Sequence, residues 1–402
     1  MTIKKIPAHW KIRKMPEVVR WSSGGTPKAT EKGYYENGTI PWLIIGDLND
    51  GLVTESATKI TELGLENSSA KMIPAETLLV AMYGSIGKLG ITGIECCTNQ
   101  AIAYAKHLYG VTTKFMFYYM ALIKSELISM GKGGTQKNIS QTVLNSLSVP
   151  VPPIDEQKHI VSRIEELFSE LDNGVETLRK TKQQLAVYRQ AVLKRAFESC
   201  ENKVEQQFGD TLVDKPRNGY SPKGVDYQTK YQNLTLSATT SGFFREDCFK
   251  YIDVDIADDS YLWVKHNDIL IQGANTIEYV GTAVLYQGED DQYVYPDLMM
   301  KCHAKEGIIP QFLVYQLQSA RCKKHFRKNA TGTSGSMPKI NQKTVMTAPI
   351  IMAPYDDQKK VVAEIEAQLS VCDCIEKTVD TALQQAEAMR QSILKQAFEG
   401  RL

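Results

Sequence analysis

Apolar positions recur every seven residues along two stretches of the chain, 153–198 and 354–399, and each stretch predicts one long helix. In the first, Ile164, Leu171, Leu178, Leu185 and Val192 hold one seam position. Phe168, Val175 and Ala196 hold the companion position, with Lys182 and Arg189 interrupting it. In the second, Ile365, Cys372, Val379, Ala386 and Ile393 form the seam, with Leu369, Leu383 and Ala397 beside them. Pro152-Pro153 and Pro354 stop whatever precedes, and Asp155 and Asp356 are expected to cap the first amides, with acidic opening turns suiting the helix dipole. The two stretches are copies: aligned without a gap, roughly 19 of about 46 positions are identical, including Asp155/Asp356, Gln157/Gln358, Ile164/Ile365, Arg189/Arg390 and a closing Leu-Lys-x-Ala-Phe-Glu. Matching polar positions as well as seams implies that the two helices pack on each other.

Connectivity then constrains their direction. A helix of about 45 residues is roughly 65 Å long, whereas the roughly 150 residues joining the copies make a globule under about 40 Å across. Parallel helices would oblige that segment to span the whole rod, so antiparallel packing is expected. The expected architecture is α+β, a dumbbell with two α/β domains at opposite ends of two long antiparallel helices, related by a pseudo-two-fold internal repeat. The boundaries are 1–152 for the first domain, 153–200 for the central helical spacer, 201–353 for the second domain and 354–402 for the C-terminal spacer.

Within the first domain, a turn-rich loop runs from Ser22 through Gly24-Gly-Thr-Pro-Lys28, and residues 40–45 and 78–82 read as strands. The second strand leads into Gly84-Ser-Ile-Gly-Lys88, which has two residues between its glycines where a phosphate-binding loop needs four, and Leu89 where that loop needs Ser or Thr. It reads as a strand turn with glycines at positive φ. Residues 115–129 read as an apolar helix, followed by Gly131-Lys-Gly-Gly-Thr-Gln-Lys-Asn138. The second domain echoes this order: Asn218-Gly-Tyr-Ser-Pro-Lys223, a strand at 269–272, a helix at 310–328, then Thr331-Gly-Thr-Ser-Gly-Ser-Met-Pro-Lys339. The repeat unit is therefore domain plus helix, twice.

Polar side chains on flexible glycine loops can bond phosphate oxygens and base edges. The candidate DNA contacts are Gly25, Thr26 and Lys28, then Lys132, Gly134, Thr135, Gln136, Lys137 and Asn138 in the first domain. In the second they are Lys223, Arg321, Lys324, Arg327, Lys328, Thr333, Ser334 and Lys339. Arg321, Lys324 and Lys328 share one helical face. Residues 1–150 carry 16 Lys and Arg against 11 Asp and Glu, while the second domain is balanced and the whole chain has a formal net charge of +1. Nucleic-acid contact must then come from local patches.

Met1-Thr-Ile-Lys-Lys opens without an apolar core and the longest apolar run is short, so neither a signal peptide nor a membrane partner is expected. The 8 cysteines show no zinc spacing, a cytoplasmic setting is expected, and Cys372 reads as seam packing. Asp155-Glu-x-Lys158 and Asp356-Asp-x-Lys359 superficially resemble a metal-dependent nuclease, but their place at a helix start explains the acids as caps. No metal site, HExxH, cofactor glycine loop or adenine-chemistry tetrad is read, so the chain is expected not to be an enzyme by itself.

These residues resemble the specificity (S) subunits of type I restriction-modification enzymes over nearly the whole chain. The resemblance rests on the domain-helix-domain-helix order, Gly-Thr-Pro-Lys28, Pro-Trp-Leu-Ile-Ile-Gly-Asp47, the Pro-x-Asp-x-Gln-Lys helix starts and the Leu-Lys-x-Ala-Phe-Glu-Gly-Arg-Leu ending. The second domain departs from it with Ser221 for Thr and no clear Pro-Trp-Leu. The resemblance implies two target-recognition domains, each reading half of a bipartite site on double-stranded DNA, and a helical rod acting as ruler. It further implies two modification (methyltransferase) subunits docked on the chain, with restriction (nuclease and translocase) subunits joining them. S-adenosylmethionine, ATP and Mg are then expected on those partners, and none on this chain. The competing readings are a coiled-coil scaffold with incidental basic loops and a metal-dependent nuclease.

Overall fold

The computed structural model describes residues 6–133, 137–332 and 337–402. The chain divides into two compact units, Met1–Leu178 with Asp380–Leu402, and Arg179–Val379.

Both heptad stretches are single helices, Ile154–Glu198 and Tyr355–Phe398. Each starts immediately after its proline, whose lack of an amide donor costs nothing at a helix start, where that donor would have no intrahelical acceptor. Asp155 and Asp356 therefore lie inside the first turn and not at the cap, where they complement the positive end of the helix dipole. The seams are buried as the heptads require: Ile164, Leu185, Val192, Ile365, Cys372, Val379 and Ile393 are all buried, while Phe168, Leu171, Leu178, Leu369 and Leu383 are half-buried. Two helices alone cover only a narrow stripe of each other, which accounts for the second group.

In the first unit, Ile160, Val161 and Ile164 near the start of the first long helix share a core with Ile393, Leu394, Ala397 and Phe398 at the end of the second. The helix segments there run antiparallel. This core is completed by a five-stranded sheet in the order Val19–Ser23, Ile102–Leu108, Leu78–Ala81, Leu89–Thr92, Gly51–Val53, antiparallel except for its last pair. A smaller sheet joins Lys59–Ile60, Ile40–Leu43 and Cys97–Thr98.

The second unit is built the same way. Val192, Leu193, Ala196 and Phe197 at the end of the first long helix share a core with Val361 and Ile365 near the start of the second, again antiparallel. Its main sheet is antiparallel, in the order Arg217–Asn218, Met299–Cys302, Ile269–Gln272, Ala283–Leu285. A three-stranded sheet of Gly224–Val225, Phe249–Ile252 and Tyr231–Leu234 lies in the same unit.

One buried glutamine ties each long helix to its domain. Gln157 accepts from Thr112 N at 2.9 Å and donates to Gly110 O at 2.9 Å and Pro152 O at 3.0 Å. Gln358 accepts from Ile309 N at 2.9 Å and donates to Ala353 O at 2.9 Å. Thr112 and Ile309 are the N-cap residues of the domain helices Thr113–Leu122 and Pro310–Gln318, so each glutamine satisfies an otherwise orphaned amide at a helix start. The opposite end of the partner helix seals the same core: Phe398 packs on Phe115 and Tyr119 in the first unit, and Phe197 on Phe312 in the second, with ring centroids 5.0, 5.4 and 5.5 Å apart.

Two helices expected to be continuous are each broken in two. The stretch 115–129 divides at Ile123 into Thr113–Leu122 and Lys124–Met130. The stretch 310–328 divides at Ser319, whose extended backbone ends Pro310–Gln318 and whose hydroxyl caps Ala320–Asn329 by accepting from Cys322 N at 3.4 Å.

Candidate nucleic-acid interface

In each unit three separate segments converge on the C-terminal end of one central strand. In the first unit that strand is Leu78–Ala81. Beyond it Gly84 and Gly87 take φ of 61° and 73°, so the glycine stretch is a strand turn. Lys132 and Asn138 form a paired base, joined by reciprocal backbone bonds, both 2.9 Å. That base is fixed to the strand end, with Gly84 N donating to Lys137 O at 3.1 Å and Ile139 N to Met82 O at 2.8 Å. The third segment is the Gly24-Gly-Thr-Pro-Lys28 loop: Gly25 N donates to Thr98 O at 2.9 Å and the Thr26 hydroxyl bonds the Gln100 side chain. The neighbouring Ala101 O accepts from Met82 N at 2.8 Å, which closes the circuit.

The second unit repeats this with different side chains. Thr331 and Lys339 form the equivalent paired base with bonds of 2.8 and 2.9 Å, and Ile340 N donates to Gly273 O at 2.8 Å just past the strand Ile269–Gln272. The Ser221 hydroxyl bonds the Asp297 carboxylate, and the adjacent Leu298 O accepts from Gly273 N at 2.8 Å. Ser221 thus does for the second loop what Thr26 does for the first, since both need only a hydroxyl at that point. A buried network adds to it: Gln272 donates to Leu236 O, Thr239 Oγ1 and Thr240 Oγ1 at 2.9, 2.8 and 2.9 Å, and accepts from Asn275 at 2.7 Å. Asn275 N in turn donates to Pro338 O, next to that paired base, at 3.2 Å.

The candidate residues separate on these facts. Lys132, Lys137 and Asn138 stand exposed at the first paired base, Lys339 at the second, and Thr26, Lys28 and Lys223 on the convergent loops. Lys28 keeps a surface ion pair with Glu31 at 3.3 Å. Gly25 is buried: a Cβ there would lie 2.3 Å from Ala70 N, so its part is to let two backbones touch. Gly134, Thr135, Gln136, Thr333 and Ser334 lie outside the described residues. Lys324, Arg327 and Lys328 are exposed on the helix Ala320–Asn329, whose Cys322 and Phe326 face the core. Arg321 is drawn aside into an ion pair with Glu205 at 3.0 Å. Lys323, absent from the sequence-based choice, joins Lys324, Arg327, Lys328 and Gln190 around a concave surface.

A second concavity, in the first unit, is lined by Ser85, Lys88, Lys124 and Lys137. Its cations are partly satisfied: Lys124 meets Asp50 at 2.8 Å, and Lys88 donates to Ile45 O at 3.2 Å. At the helix start, Asp155 is exposed and lies 3.7 Å from Lys158. Among the described residues no group of His, Cys, Asp and Glu is placed to hold a metal ion, and no helix is long and apolar enough to cross a membrane.

The family model described as the type I restriction modification DNA specificity domain matches residues 7–185. Along its whole length the chain is similar to type I restriction specificity subunits. It is 21% identical over 423 residues to the EcoKI specificity subunit of Escherichia coli (strain K12), spanning 100% of this chain and 91% of that one. It is 22% identical to the StySPI specificity subunit of Salmonella potsdam, over 99% and 90% of the two chains. Among solved structures, a chain from work on complex assembly and conformational transition of the type I R-M system superposes with a TM-score of 0.74 at 15% identity, covering 99% of this chain and 100% of that one. The HsdS subunit from Thermoanaerobacter tengcongensis superposes at 0.50 with 16% identity over 99% and 98%. These likenesses show that the specificity-subunit fold runs the length of the chain.

Proposed function

We propose that this chain is the DNA sequence-specificity subunit of a type I restriction-modification complex, in which each unit reads one half of a bipartite site. The observation that carries the reading is the duplicated convergence of paired base, strand end and hydroxyl loop, built on the same backbone bonds but presenting different side chains. A platform kept constant while its surface varies is what two half-sites of different sequence require. Exposed lysines, hydroxyls and amides there supply phosphate positioning and base-edge contacts.

The long helices act as the ruler. Domains held at a fixed separation contact DNA segments divided by a stretch that neither reaches, with one helical turn, about 34 Å, as the natural centre spacing. Two modification subunits dock on the helices and domains, and restriction subunits join them. S-adenosylmethionine, ATP and Mg belong to those partners, where a methyltransferase acting on a flipped adenine does the chemistry. This chain contributes the address and no reacting group.

The ruler is tested by length. One heptad added after Thr181 and one after Leu383 extends both helices by roughly 10 Å. The unread spacer then grows by about three base pairs, or binding fails through misphasing. An unchanged spacer would overturn the ruler.

A further inference from the structure

We infer that the groove between the helix Ala320–Asn329 and the first long helix in the second unit is a phosphodiester-binding site that the first unit does not have. This rests on the DNA-recognition reading above and extends it to Lys323, to Gln190 and to an asymmetry that the reading does not contain.

The groove is lined by Lys323, Lys324, Arg327 and Lys328 on one side and by Gln190 on the other. Among the described residues, none of these four cations makes an ion pair. Nearby cations of the same unit do: Arg321 with Glu205 at 3.0 Å, Arg195 with Glu364 at 3.8 Å, and Arg189 with Glu376 at 2.9 Å. Charge has been left uncompensated in one place and neutralised around it. Lys323 is partly buried there, and burial together with the Arg327 charge lowers its pKa, with Glu278 only partly opposing them. An anion seated between Lys323 and Arg327 would relieve both effects. The Gln190 amide oxygen is buried in this wall without a protein donor among the described residues, which a water bridging it to a phosphate oxygen would supply.

The first unit shows the contrast. Leu127 beneath Gly87 occupies the place of Phe326 beneath Gly281, which puts Lys124, Ser125, Ile128 and Ser129 where Lys323, Lys324, Arg327 and Lys328 stand. Of those only Lys124 is cationic, and Asp50 already neutralises it at 2.8 Å. The basic helix leads directly to the Thr331–Lys339 pair at the end of the central strand, so a nucleic-acid strand held in the groove continues towards the convergent loops. A carboxylate-rich protein segment would match the charge, but four cations within less than two helical turns fit the repeated charges of a nucleic-acid backbone.

The test uses the complex purified with its modification subunits and measures affinity from 50 to 200 mM salt, on a duplex carrying its own site and on a scrambled duplex. The double variant Lys323→Ala with Arg327→Ala is expected to flatten the salt slope by about 1.8. Wild type then loses roughly twelvefold more affinity than the variant across that range, equally on both duplexes, while the recognised sequence stays the same. The charge-conserving pair Lys323→Arg with Arg327→Lys should keep the wild-type slope, which separates charge from folding. An unchanged slope in the alanine variant overturns the proposal. So does release of the modification subunits with DNA binding intact, which would assign the groove to a protein. If wild type itself showed no preference between the duplexes, the specificity reading would fail before the groove was reached.

Discussion

Arg189 donates to Asp373 across the two long helices at 2.6 Å, and the same two repeat positions meet again, exchanged between copies, as Arg390 and Asp172. One ion pair lies in each unit. This is what an antiparallel pair of repeated helices produces: a residue of the first copy meets in the second copy the residue that its own counterpart meets in the first. The pairs are not equivalent in their surroundings. Arg189 also reaches Glu376 at 2.9 Å, whereas Arg390 lies over the Phe168 ring at 4.9 Å.

Replacing Arg390 by Ala is therefore expected to cost about 1–2 kcal/mol, combining a partly exposed ion pair with a cation–π contact. Lysine should restore only part of it, because the guanidinium plane is lost. A double-mutant cycle with Asp172→Ala, read by denaturant unfolding, should leave a residual cost that belongs to Phe168. Complete additivity of the two changes would contradict the pairing.

Gln157→Ala strips partners from the Thr112 amide and from the Gly110 and Pro152 carbonyls, and should destabilise the first unit by about 2–3 kcal/mol. Gln157→Glu should do worse, since a carboxylate accepts from Thr112 but cannot donate to either carbonyl and brings a charge into a buried site. Equal unfolding midpoints for Glu and Gln would show that the amide's two donors are immaterial.

Phe398 is fully buried against Phe115 and Tyr119, so Phe398→Ala should cost about 3–5 kcal/mol. Because its contacts are with the N-terminal domain, limited proteolysis should show cleavage rising first within the first unit. Phe197→Ala should reverse that order and open the second unit first.

Gly25 and Lys28, three positions apart in one loop, should separate cleanly. Gly25→Ala has no room for its Cβ against Ala70 and should lower thermal stability. Lys28→Ala removes an exposed cation and should leave the unfolding temperature unchanged while weakening DNA binding. A loss of stability in the lysine variant would move that side chain from the interface to the scaffold.

The long helices were legible because two signals agreed, the seven-residue period and the ungapped repeat, and prolines marked both starts. Their bounds emerge within a residue of the expected ones. The breaks at Ile123 and Ser319 were not, although a serine in the middle of a helical run is a cap signal that could have marked the second. Apolar spacing continues through Ile123, and nothing local announces the turn there. Gln157 and Gln358 stood out as shared residues, but their partners are distant in sequence, so their work as ties between helix and domain was invisible. The candidate loops were found by composition and position alone. Their convergence depends on backbone bonds from Met82 and Gly273, residues with no chemical signature. Lys323 was passed over because a helical wheel groups Arg321 with Lys324 and Lys328, and only the fold shows Glu205 claiming Arg321.

The central claim is that this chain sets the address for DNA modification. A genome-wide map of adenine methylation in the native cell, with the gene present and deleted, tests it most directly. The account predicts one two-part motif, with a fixed unread spacer, that is methylated when the gene is present and unmethylated when it is deleted. An identical methylation map in both strains, with the modification subunits expressed, would contradict it.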